Sequence, residues 1–186
     1  MRFAPKHRVN PKHRVNKVRT FAVARMARKA APVSVFVLLA GSIVPASAAS
    51  LSRSVEVDGT PTQIWSQIGD FCAIRDWHPA IGSCTEDGNN PPTRTLVTKD
   101  GKATFVELQT AVNREKHLYG YTFVSSPLPV TNYKSILKVS AKGSGHSEIT
   151  WSGEYTPDAG KEKDADVALS GIYESGLEAI RARFAK

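Results

Sequence analysis

Few residues in this sequence have both the type and the setting to do chemistry, and Glu107 is the first of them. It lies in 103–113, where Phe105, Glu107 and Gln109 share one face of an alternating stretch and Val106 and Leu108 the other. Turned inward, Glu107 is the one acidic candidate for a buried face. A buried carboxylate needs a partner or a raised pKa, and it would then serve as a general base or as a ligand anchor. Base catalysis needs an acid within reach of the same substrate. Tyr133 or His78 could supply it, which would make this a cyclase- or dehydratase-type site. Turned outward, Glu107 is an ordinary solvated residue, and alternation fits either orientation. His78 is open in the same way: it lines a pocket mouth, or it ends a helix in contact with solvent. No other catalytic constellation is present.

Cys72 and Cys84 are the only cysteines. In an oxidising compartment an even pair reads as a disulfide. It would close a small loop around Asp76-Trp77-His78-Pro79 and be worth about 3 kcal/mol in the chain-entropy model. A metal site of Cys72, His78 and Cys84 is the alternative, but it lacks a nearby fourth ligand and any CxxC spacing. The sequence is read as holding no metal and no cofactor.

The elements that must position these residues follow from periodicity. Residues 52–57 alternate as a strand. Thr60, Pro61 and Gln63 form a helix-start signature, opening a short helix over 61–68 with Ile64, Trp65 and Ile68 on one face. A second short helix spans 71–77 and stops before Pro79. Strands are expected over 94–98, 103–113, 117–124, 131–141 and 147–156, a meander of antiparallel neighbours joined by turns such as Lys99-Asp100-Gly101-Lys102. A long helix over 166–184 carries Leu169, Ile172, Tyr173, Gly176, Leu177, Ile180 and Phe184 on one stripe. Strands followed by one apolar-striped helix make an α+β fold. Alternation turns Tyr133, Ser135, Leu137 and Val139 to one side of their strand, and Ile149, Trp151, Gly153 and Tyr155 to one side of theirs. Tyr119, Tyr121 and Phe123 share a face. The inner surface is therefore aromatic with hydroxyls mixed in. Gly153 and Gly176 on it mean either close backbone approach or space.

Charge divides the chain. Of 25 Lys and Arg, ten precede the apolar run that starts at Val33, and no acidic residue precedes Glu56. The basic region, the apolar run to Val44, Pro45 and the small-x-small end Ala46-Ser47-Ala48 together read as a secretory leader over residues 1–48, with a single domain over 49–186. The apolar run is shorter than the roughly 20 residues a permanent span needs. Removing the leader leaves fifteen basic against seventeen acidic residues, so the formal charge of +8 does not mark a nucleic-acid-binding domain. PKHRVN occurs twice in succession, at 5–10 and 11–16, too few copies for a repeat array. A chain starting at Met26 would carry a compact signal peptide, so Met26 is the expected translation start. Recovery of peptides from residues 2–25 in the native protein would contradict that start. The expected location is periplasmic or secreted.

The element order, with Asp76-Trp77-His78-Pro79, the segment from Pro127 to Ser135 and Trp151-Ser-Gly-Glu-Tyr155, resembles the START-like superfamily of helix-grip folds. That superfamily includes Bet v 1 allergens, polyketide cyclase/dehydrase-like proteins and plant abscisic acid receptors. The chain is most similar to its periplasmic MxaD-like members. The resemblance implies a curved antiparallel sheet wrapped around the long C-terminal helix, with two short helices after the first strand and a cavity between sheet and helix. The receptors' pocket-lining Glu, Tyr and Ser match Glu107, Tyr133 and Ser135, and their carboxylate-pairing Lys falls near His78, whose side chain is mostly neutral near pH 7 and so is a weak partner for a carboxylate. Their gate sequence is replaced by Lys99-Asp100-Gly101-Lys102. The expected lining is Trp77, His78, Phe105, Glu107, Tyr121, Phe123, Tyr133, Ser135, Trp151, Tyr155, Ile172 and Gly176, with Trp65 and Trp77 also read as core. The expected ligand is small and apolar or amphipathic. The MxaD-like resemblance further implies a helper role beside a periplasmic methanol-oxidising dehydrogenase and its cytochrome.

Overall fold

The structure, a computed structural model, describes residues 47–185. The expected leader lies outside them except for its last two positions, as do the hexapeptide pair and Met26. The chain runs β1 (Ala49–Asp58), α1 (Pro61–Ile68), α2 (Ile74–Trp77), β2 (Ile81–Glu86), β3 (Thr93–Thr98), β4 (Thr104–Asn113), β5 (Leu118–Ser125), β6 (Val130–Ala141), β7 (His146–Pro157) and α3 (Glu162–Phe184). All strands join one antiparallel sheet in the order β1-β7-β6-β5-β4-β3-β2. The curved sheet holds α3 against β1 and β7. No helix of the described residues is long and apolar enough to cross a membrane.

Local chemistry accounts for the boundaries. The Thr60 hydroxyl accepts from the Gln63 amide, the Gln63 side chain accepts from the Thr60 amide, and Pro61 opens α1. On β6 and β7 the expected inner residues are the buried ones, and on α3 Leu169, Tyr173, Gly176, Leu177 and Ile180 are buried. Helix α3 begins four residues earlier than expected, because its first turn carries no apolar stripe and is acidic and solvated at Glu162 and Asp164, favourable at a helix N-terminus. Helix α2 is shorter than expected: Phe71–Ala73 form a turn. Strand β2 was absent from the expectation. Only Ile81 and Cys84 of it are buried, three apart across a bulge, so its pattern never alternates.

Candidate functional site

The site starts from the β3–β4 hairpin. Its turn sets Arg94 opposite Glu107 and Leu96 opposite Phe105, all four facing inward. Arg94 is 0% exposed and Glu107 4%. Arg94 Nε donates to Glu107 Oε2 at 2.6 Å, a buried ion pair. This settles the orientation of β4, and a bulge between Val106 and Glu107 on the β5 side accompanies it. The Phe71 ring lies 4.0 Å from the Arg94 guanidinium carbon, and the Tyr121 and Tyr119 rings lie within 6 Å of it. Arg94 Nη1 donates to the Phe71 carbonyl, and Nη2 has no partner among the described residues. Burial opposes the Arg94 charge, but the adjacent Glu107 carboxylate, with the Tyr119 and Tyr121 hydroxyls, more than restores it. Burial also raises the Glu107 carboxyl, and Arg94 pulls against it. A guanidinium does not deprotonate in a protein, and an ionised Glu107 is the group that balances its buried charge.

Next to the pair runs a chain of buried polar groups. Trp151 Nε1 lies 3.1 Å from the Tyr121 hydroxyl and 3.0 Å from Ser135 Oγ. The Tyr121 hydroxyl is 3.3 Å from that of Tyr133, which is 2.6 Å from that of Tyr173, which is 3.0 Å from Ser135 Oγ. Ser135 Oγ donates to the Ser152 carbonyl at 2.9 Å. The ends fix the direction. Indole N–H only donates and a carbonyl only accepts, so protons point from Trp151 through Tyr121, Tyr133 and Tyr173 to Ser135 and out to Ser152. Each hydroxyl proton is then committed once. Burial pushes the Tyr173 hydroxyl up to about 12 and those of Tyr121 and Tyr133 well above 10, so the chain stays neutral at working pH.

His78 closes the other wall at 3% exposure. The Ala80 amide donates to Nδ1 at 3.2 Å, which leaves the proton on Nε2 to be donated to the Ile172 carbonyl at 3.0 Å. Burial is the main reason its pKa lies below 6.5, and a second proton would have nowhere to go but against the Ala80 N–H. Cys72 and Cys84 form a disulfide, with α-carbons 5.5 Å apart. Both sulfurs are thereby taken, and the thiolate metal set considered with His78 is not available.

A cavity of about 90 Å³ lies between these groups and α3. His78, Phe105, Glu107, Tyr121, Phe123, Tyr133, Trp151 and Ile172 line it, joined by Ile74, Ala80, Ile81, Leu96, Thr98 and Leu169. Four residues expected in the lining stand elsewhere. Trp77 packs edge-on against Trp151 in the core. Ser135 is behind the tyrosines in the hydroxyl chain. The Tyr155 hydroxyl turns to Asp166 at 3.4 Å. Gly176 leaves no space: a β-carbon there would lie 2.8 Å from His78, 2.9 Å from Trp151 and 3.1 Å from Trp77. Gly153 is likewise filled, by the Tyr173 hydroxyl.

Arg94 and Tyr173 went unassigned from sequence. Counting back from Lys99-Asp100-Gly101-Lys102 would have found Arg94, since a hairpin symmetric about that turn places it across from Glu107. Tyr173 was on the helix stripe, but only the packed structure shows its hydroxyl meeting those of Tyr133 and Ser135.

Residues 48–185 match the family described as polyketide cyclase/dehydrase and lipid transport. The chain belongs to that family. Among solved structures it is similar to XoxI from Bacillus cereus, at 34% identity and a TM-score of 0.69, over 73% of this chain and 95% of that one. An uncharacterised protein from Bacillus thuringiensis matches with the same identity and score, over 73% and 98%. Norcoclaurine synthase from Thalictrum flavum, at 18% identity, a TM-score of 0.60 and coverage of 73% and 92%, shares the helix-grip fold of the Bet v 1-like proteins. No curated protein matches the chain.

Proposed function

We propose that this family member is an exported binding protein that holds a small apolar or amphipathic ligand between its sheet and α3. The observation that carries the reading is the cavity itself. Its walls are aromatic and aliphatic, and its polar groups are fixed by one another rather than poised to exchange protons. A cyclase or dehydratase would need an acid with a free proton beside Glu107, and both expected acids, Tyr133 and His78, have theirs engaged. The basic, apolar and small-residue order of residues 1–48 supports export and a periplasmic or secreted location. Native mass spectrometry of protein purified from its own host tests the reading. A retained small molecule is expected, released when the cavity is filled by Leu169→Trp. A protein that is always empty, and takes up nothing from a host extract, would refute it. Cleavage after Ala48 should appear as an N-terminus at Ala49.

A further inference from the structure

The polarity of the cavity constrains its ligand more tightly than its size does. Every side-chain donor on its wall is spent. The Thr98 hydroxyl donates to Asp100 Oδ1 at 2.6 Å, His78 Nε2 faces the Ile172 carbonyl, and Trp151, Tyr121 and Tyr133 donate along the hydroxyl chain. Arg94, the one buried cation among the described residues, does not line the cavity. It stands behind Glu107 under the Phe71 ring. Glu107 does line it. Arg94 engages Oε2, and among the described residues no donor reaches Oε1. The ion pair is thus oriented, with its acceptor toward the ligand and its donor away.

Building on the ligand-binding role proposed for this cavity, we infer that the site selects a small neutral molecule carrying an O–H or N–H donor, such as an alcohol or phenol. That donor hydrogen-bonds Glu107 Oε1 while the apolar part of the molecule lies on the aromatic wall. An anion would meet a carboxylate and no free donor. A cation would have to lose its water next to a pair whose charge Arg94 already balances. About 90 Å³ is the liquid share of roughly three waters and is smaller than the ~150 Å³ cavity that takes benzene, so a single small ring is the upper limit.

Titration of the folded protein with phenol, toluene and pentanoate, followed by the Trp151 indole N–H signal in NMR, tests the inference. Phenol should bind at least ~10-fold more tightly than toluene, the margin of a hydrogen bond to a charged acceptor, and pentanoate should be weakest. Toluene binding as tightly as phenol, or pentanoate more tightly, overturns the donor selection and leaves the cavity reading standing. No binding by any of the three overturns both. The paired variant Arg94→Met/Glu107→Met should lose the preference for phenol over toluene. A preference that persists in it also overturns the assignment. If that variant does not fold, the wild-type titration decides alone.

Discussion

Arg94 and Glu107 stabilise the fold only as a pair. Removing one leaves the other charged and buried, at a cost of about 3–5 kcal/mol, whereas an apolar pair of similar volume restores much of the loss. Urea denaturation should therefore rank Glu107→Gln as more damaging than Arg94→Met/Glu107→Met, despite the smaller change in shape. His78 sets a pH dependence of definite sign. Its folded pKa is depressed by burial, so below pH 6.5 the unfolded chain takes the proton first. Its contribution is whole above pH 6.5 and is lost as pH falls below it. Urea midpoints at pH 7.5 and pH 5 should differ less in His78→Gln than in wild type. At this scale the sequence was partly legible. Glu107 is conspicuous because an acid among Phe105, Val106 and Leu108 needs an explanation. Its partner is not, because an arginine at a strand end looks solvated until the hairpin register is drawn.

Helix α3 carries two glycines with opposite roles. Gly176 faces three rings, so Gly176→Ala must displace them and should cost about 1–3 kcal/mol. Gly171 has open space around it, and Gly171→Ala should stabilise by roughly 0.5–1 kcal/mol through helix propensity alone. Paired thermal melts check both signs. The disulfide ties the turn carrying Phe71 to β2, and so keeps that ring and carbonyl over Arg94. The Cys72→Ser/Cys84→Ser variant should lose about 3 kcal/mol, read as a lower urea midpoint. Strands β6 and β7 and the stripe of α3 were legible because one face of each is dry and the period survives. Strand β2 was not, since a bulged edge strand buries too little to leave a period. The glycines show the same limit. An absent side chain on an inner face marks a close approach or a void, and only the neighbours decide between them.

At the scale of the molecule, strand order links the two ends of the domain. Strand β1, made first, pairs along its whole length with β7, made last but for the helix, from Ala49 opposite Tyr155 to Asp58 opposite His146. Among the described residues β1 has no other neighbour in the sheet, and it also contacts α3. The first strand therefore waits for nearly the entire chain before it gains a partner. Such contacts between distant positions make folding slow, on the order of milliseconds to seconds, and stopped-flow refolding followed by tryptophan fluorescence should fall in that range rather than in microseconds. Under the export proposed above, in which the chain would cross a membrane as an extended thread, such a delay would be an advantage. On that proposal the sheet could not close until β7 had followed β1 across, and strand order would time folding to the end of transport.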